Sequence, residues 1–295
     1  IFLFLKLTDV RTVHSFQELT DRFFQEEVTS STLTLHYTLR DPQVYGISDI
    51  PVRYNATTSD VSAAADYLQQ LTDLDPSCLP LSDQITYDIL LYLLNQNLSA
   101  QNFPLYAEPL GATLGIQAQL PVLLCEYRFE NIDDIHTYLQ LLSTTDQYFS
   151  SLLSYERQKA AAGLFMPDSC ADDIIRQCST FIEKEPSLHL LVTVFNRKTS
   201  EADFLTESEK KDLMQQNLDL VIHHVFPAYQ LLIRGLENLK QFCQNQKGLC
   251  CLPQGRSYYE YLVRTYTGSS LSVDSIQNRI QKQLLADAAD CRELL

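Results

Sequence analysis

Tryptophan is absent from the 295 residues, and glycine (8) and proline (11) are both scarce. So few turn-forming residues exclude a sandwich or barrel of many short strands, which needs a tight turn every few residues. Basic charge is scarce as well: 22 Lys and Arg stand against 37 Asp and Glu, a formal net charge of −15. Phosphate recognition needs a basic surface, so nucleic acid is excluded as a partner. No basic run of five or more residues occurs, which argues against anionic membranes too. No apolar run approaches the ~20 residues of a membrane span. The longest apolar opening, Ile1 to Leu5, reads equally as a buried terminal segment or as the tail of a secretion signal or anchor. Residues 1–14 are therefore set apart as a leader, and residues 15–295 are expected to form one helical domain.

The signatures of self-contained chemistry are also missing. There is no Gly-x-Ser-x-Gly elbow, no phosphate-binding Walker loop, no Gly-x-Gly-x-x-Gly fingerprint and no His-Glu-x-x-His helix. No Cys-x-x-Cys pair occurs among the eight cysteines, which excludes zinc ribbons and thioredoxin-like redox sites. Cys170 and Cys178 fall on one expected helix, ~12 Å apart and beyond bridging range. Cys243 is placed to close a short disulfide with Cys250 or Cys251, while most of the eight are expected to be buried free thiols.

What is present is a helical pattern. Apolar residues make up 45% of the chain, with 16 Tyr and 14 Phe, enough for a large core. Ser15-Phe-Gln-Glu18 has capping-box spacing and is expected to start the first helix, with Phe16, Leu19, Phe23 and Phe24 on its apolar face. Residues 35–47 read as a turn-rich connector, and Ser59 as the start of a helix reaching Leu74. Ser82 opens a further helix whose Ile85, Ile89, Tyr92 and Leu93 share a face, widened by Leu90, Leu91 and Leu94; this predicts a central helix. Residues 101–125, with Pro104, Pro109, Gly111, Gly115 and Pro121, read as a functional loop or cleft wall. Their Gly-x-x-x-Gly spacing carries no weight outside a membrane. Asn131 and Thr206 are expected helix caps, Gly163 a helix end, and Pro167 a helix start. Residues 187–197 suit a strand or a helix and are assigned to helix by their neighbours. Pro227 removes a hydrogen bond from a long helix and is expected to kink it. Ser272 caps a last helix that is still apolar at Leu294 and Leu295, so the natural protein is expected to continue.

Candidate chemistry is sparse. His223 and His224 point ~100° apart on a helix and do not readily share a metal. The reading taken is a partly buried histidine capping the carbonyls freed by Pro227. Asp133-Asp134 and Asp172-Asp173 sit in first helical turns, where carboxylates complement the dipole. Cys170 near a helix start is a weak nucleophile candidate with no histidine partner. Residues 248–268 gather four tyrosines and two arginines, groups suited to gripping a peptide or carboxylate. A tyrosine-rich packing face explains them equally well.

The order of several motifs is recognisable. Leu35-His-Tyr-Thr-Leu-Arg-Asp-Pro-Gln-Val-Tyr-Gly-Ile47 is followed by Pro51, then by Leu110-Gly-Ala-Thr-Leu-Gly-Ile-Gln-Ala-Gln-Leu-Pro121, with Asp133-Asp134 and Tyr138. Val225-Phe-Pro-Ala-Tyr229, Leu252-Pro-Gln-Gly255, Tyr258-Tyr259, Thr267-Gly268 and Ser272-Val-Asp-Ser-Ile276 complete the series. From about Phe16 to Leu285 the chain resembles the bacterial domain of unknown function 885 family. The resemblance implies helical, zincin-like proteins of metallopeptidase type, often secreted or lipid-anchored. It implies zinc in the complete protein, held by a His-Glu-x-x-His-like helix in a later half, with a glutamate base. No metal ligand or catalytic residue carries over to this chain.

The expected fold is all-α, a large irregular multi-helix array forming the N-terminal half of a zincin-like protein. The expected function is scaffold and substrate-cleft wall of a zinc-dependent peptidase, with Tyr258, Tyr259 and Arg264 lining the cleft. A peptide and the chain's own second half are the expected partners, and the expected location is extracellular or cell-surface anchored, otherwise cytoplasmic. The alternatives are a non-catalytic binding or interaction domain and, third, a cysteine hydrolase around Cys170.

Overall fold

Helices fill the structure, a computed structural model that describes residues 2–48, 50–56, 61–243 and 246–293, and no strand occurs among those residues. The result is an all-α, irregular multi-helix array. Its buried residues gather in one large cluster running from Tyr54 to Leu239, a smaller one shared by the first long helices, and a minor one of Val28, Leu39 and Ile47.

The smaller cluster joins α1 (Phe2–Val28), α3 (Val61–Thr72) and α4 (Leu81–Ser99). Helix α1 does not start at Ser15. No Gly or Pro interrupts the chain before Pro42, so the helix runs straight through, and Glu18 meets His14 at 3.4 Å instead of capping. Phe16 and Leu19 are buried as expected, whereas Phe24 lies on the exposed side. Residues 35–47 include the end of a short helix, α2 (Thr32–Thr38), capped by Ser31 Oγ accepting from Thr34 N–H. The turn follows it, with Gly46 at φ 70°. The expected helix start at Ser59 lies outside the described residues.

Of the expected face of α4 only the widening, at Leu90 and Leu94, is buried. Tyr87, Leu90 and Leu94 are buried against α1 and α3, while Ile85 and Ile89 remain 55% and 61% exposed. Apolar residues nearly encircle α4, so periodicity cannot choose the buried side. The helix is peripheral rather than central.

The large cluster is built on α11 (Phe226–Leu239), which lies across α7 (Thr145–Ala161) and α8 (Asp168–Ile182). Gly235 makes this approach close: a Cβ there would stand 2.4 Å from Leu153 Cδ1. Phe149, Leu152, Leu232 and Leu236 are fully buried along the seam, each worth roughly 1.5–3 kcal/mol in transfer terms. Helices α9 (Leu190–Glu201) and α10 (Glu207–Leu220) pack on each other beside it. Residues 190–197 are therefore helical, as their neighbours suggested. Capping boxes at Asn131–Asp134 and Thr206–Glu209 start α6 (Ile132–Leu142) and α10. Gly163 takes φ 72° after α7, and Pro167 precedes α8.

Two prolines sit within helical runs. Pro227 leaves the carbonyl of His223 without its helical donor, and the chain responds with a π-turn over Val221–Val225 between α10 and α11. Pro121 lies inside α5 (Ile116–Glu126), so the expected loop ends ten residues early. The carbonyl it frees belongs to Gln117, four residues back. Tyr229 Oη donates to that carbonyl at 2.7 Å, supplying from α11 the hydrogen bond that proline withholds.

Helix α12 (Gly255–Thr267) ends at Gly268, φ 66°, and Ser272 Oγ caps α13 (Val273–Glu293) by accepting from Ser275 N–H. On α13, Ile280, Leu284 and Leu285 are 60%, 66% and 70% exposed. Together with Ile85 and Ile89 on α4 they leave two apolar helix faces uncovered, a surface that drives association. The 295-residue chain is expected to self-associate in sedimentation velocity, and Ile280→Lys with Leu284→Lys to shift it toward monomer. A monodisperse monomer with a cooperative melt at every concentration would contradict this.

Candidate functional site

Residues 103–115 connect the turn at Asn102 to α5 without regular structure. Pro104 and Leu105 begin this loop, and Leu105 adopts φ 66°, a left-handed value that costs a residue with a Cβ roughly 1–2 kcal/mol. Tyr106 N–H closes the turn onto Phe103 O at 3.3 Å. At the other end Gly115 N–H and Gln117 Nε2 both donate to Gly111 O, at 3.2 and 2.7 Å. A Cβ on Gly115 would fall 2.3 Å from Gly111 N, so Gly115 has a structural cause, whereas a Cβ on Gly111 would meet nothing closer than Gly115 N at 3.8 Å. Gln177 Nε2 on α8 donates to Ala112 O at 2.5 Å and holds the loop from below.

The middle of the loop crosses α7 and α12. Lys159, fully buried on α7, donates to Ala107 O at 3.0 Å and stands 2.8 Å from Glu108 Oε2. Its ammonium is also 3.9 Å from Glu156 Oε1. Glu156 is wholly buried, and neither of its oxygens has a hydrogen-bond partner among the described residues. Burial pushes its carboxyl up to about 7, with Lys159 pulling it down and Glu108 adding to the rise. Glu108 is raised by burial as well, against the pull of Lys159, although about half of its side chain reaches solvent.

Glu108 opens into a cavity of about 350 Å³ whose walls include Tyr106, Phe165, Met166, Tyr258 and Tyr266. The Tyr106 and Tyr258 ring centroids are 5.0 Å apart, and Phe103 stands 5.3 Å from Tyr258. Tyr106 Oη accepts from Gln254 N–H at 3.0 Å, which ties the loop to the start of α12. A larger cavity, about 500 Å³, lies between α2 and α5, with Tyr37, Tyr54, Tyr148 and Leu120 among its walls and no charged side chain among the described residues of its lining. Volume alone favours the larger. Aromatic rings converging with a charged network favour the smaller, and that is the candidate site.

Of the residues singled out from sequence, Tyr258 belongs to this cavity, and burial raises its phenol to about 12. Tyr259, the next residue, is half exposed. Arg264 lines a separate cavity of about 260 Å³ with Gln96, Asn102 and Glu260. One helix thus divides the three residues between different surroundings. His224 Nδ1 meets Asp146 Oδ1 at 3.4 Å rather than the carbonyls freed by Pro227. The Cys170 thiol is raised by burial, the opposite of nucleophile activation. Cys250 and Cys251 are exposed free thiols with sulfurs 3.9 Å apart, so no disulfide joins them to Cys243, and the expectation of mostly buried thiols fails here and at exposed Cys291. Among the described residues no group of three or more His, Cys, Asp or Glu is placed to hold a metal ion.

Glu108, Glu156 and Lys159 were not singled out, although a signal existed. Phe149, Leu152 and Leu153 set an apolar stripe on α7, and Glu156 and Lys159 continue it at helical spacing. Charges on a core-facing stripe announce a buried ionic pair.

Glu156, with its folded pKa raised from 4.5 to about 7, gives stability that is complete below pH 4.5 and is lost as pH rises through 7. Glu156→Gln is therefore expected to match wild type near pH 5 and to exceed it at pH 8.5, by an amount on the order of 3 kcal/mol; parallel melting curves across that range would refute the assignment. Gly115→Ala is expected to cost about 2–4 kcal/mol in urea denaturation, because the new methyl meets backbone.

The fold has a solved counterpart. A chain described as the "putative lipoprotein from Colwellia psychrerythraea" superimposes with a TM-score of 0.76 at 16% identity, over 91% of this chain and 48% of that one. The present chain thus spans about half the length of that structure, and at this identity the likeness shows the fold alone. No helix among the described residues is long and apolar enough to cross a membrane. No curated protein matches the sequence. Residues 51–295 match the family described as "Bacterial protein of unknown function (DUF885)", which covers most of the chain, and the protein belongs to that family.

Proposed function

We propose that the chain is the helical scaffold and one wall of the substrate cleft of a zinc-dependent peptidase. The observation that carries this reading is the cavity where the loop at Tyr106–Glu108 meets Tyr258 of α12. Aromatic walls with one reachable carboxylate suit a side chain of a bound peptide. The peptidase reaction and its zinc come from the family resemblance. The residues described here do not fit a zinc site, since they bring no ligand set together. In this reading the metal and the glutamate base would be held outside these residues, and the coverage of only 48% of the solved counterpart supports that reading. That counterpart's description as a lipoprotein supports an extracellular or cell-surface location.

In this reading Tyr258 contacts the peptide inside the cavity, while Tyr259 and Arg264 face it from elsewhere on α12. The test uses the full-length protein and a library of octapeptides read by mass spectrometry. Tyr258→Leu is expected to raise KM about tenfold, with smaller rises of about threefold for Tyr259→Leu and Arg264→Gln. Unchanged turnover and affinity in all three variants would sink the proposal. Metal analysis of the full-length protein separates the other class of function: stoichiometric, tightly held zinc would argue against a non-catalytic binding domain.

A further inference from the structure

Two carboxylates share a single ammonium at the candidate site: Glu108 at 2.8 Å and Glu156 at 3.9 Å from Lys159 Nζ. No other cationic side chain pairs with either among the described residues. Lys159 is inaccessible, with no exposed side-chain surface, so a ligand entering the cavity cannot reach the positive charge. It meets Glu108, whose side chain is 51% exposed, and the rings of Tyr106, Tyr258 and Tyr266. Among the described residues that line the cavity there is no cationic side chain for an anionic ligand. A cation finds a carboxylate and aromatic faces, the combination that holds ammonium and guanidinium groups. Glu156 makes the exchange possible, because its two oxygens accept no hydrogen bond and are available to Lys159 when the ligand draws on Glu108.

We infer that the cavity between Tyr106, Glu108 and Tyr258 is a binding pocket for a cationic group, a guanidinium or ammonium at the end of an aliphatic stem. Within the peptide-cleft reading, on which this identification rests for its biological ligand, the pocket selects a lysine or arginine side chain. Glu108 contacts the charge, the tyrosines contact the stem, and Lys159 with Glu156 acts as a positioning pair behind Glu108.

The test is ligand-observed saturation-transfer NMR on the full-length protein, comparing n-butylguanidinium with n-butanol, which has the stem without the charge. The cation is expected to bind at least tenfold more tightly. Glu108→Gln is expected to reduce its affinity at least fivefold and to leave butanol unaffected. Tyr258→Leu, which removes a ring and no charge, is expected to weaken the cation about threefold and serves as the check if Glu108→Gln does not fold. Equal binding of both probes, or a cation affinity indifferent to the variants, would overturn the inference. The two readings fail separately. Cation binding without any peptide binding sinks only the peptidase wall, and peptide turnover sensitive to Tyr258→Leu but indifferent to charge sinks only the cation pocket.

Discussion

Lys159 reaches the interior from the same stripe of α7 that buries Phe149, Leu152 and Leu153, and an ammonium there needs oxygen atoms around it. The helix itself supplies only Glu156, at 3.9 Å. The remaining partners, Ala107 O and Glu108, come from a loop about fifty residues earlier in the chain. Satisfying that one charge therefore fixes where an otherwise irregular segment must lie. Its position in turn sets Tyr106 against Tyr258 and leaves Glu108 at the mouth of the cavity. The site is a consequence of how a buried cation is neutralised.

The scaffold beneath the loop depends on α11. Gly235 lets its backbone approach α7, and Tyr229 reaches past Phe149 to the carbonyl of Gln117. That hydrogen bond allows a proline inside α5. Gln117 then anchors Gly111 with its side chain and joins Gln177 at 3.0 Å. A chain of contacts thus runs from α11 through α5 to the loop, each link satisfying a polar group that burial would otherwise leave unpaired. Pro227 fits the same logic, since the π-turn before it absorbs the helical hydrogen bond it cannot make.

At the periphery, α4 and α13 expose apolar faces that the core does not use. Both sequences form helices, but the described residues supply no neighbour for these sides. The separation between a packed centre around α7, α8 and α11 and uncovered edges means that folding and surface recognition draw on different helices of the same array. Tyr92 of α4 donates to the carbonyl of Arg264, so the peripheral helix also steadies α12 and, through it, Tyr258.

The all-α class, the helix caps at Asn131 and Thr206, the break at Pro227 and the first part of the loop expected over 101–125 follow from sequence, because caps, prolines and periodicity act over a few neighbouring residues. The sequence likewise marks residues 248–268 as rich in ring and guanidinium groups, which put Tyr258 among the candidates. The buried side of α4 followed only at Leu90 and Leu94, since apolar residues surround that helix and only its neighbours choose among them. The helical state of residues 116–126 did not follow, because the donor that compensates Pro121 lies on Tyr229, more than a hundred residues away. The same reason hid Glu108: its partner Lys159 is fifty-one positions later, and a pairing that distant becomes a site only when tertiary packing brings loop and helix together.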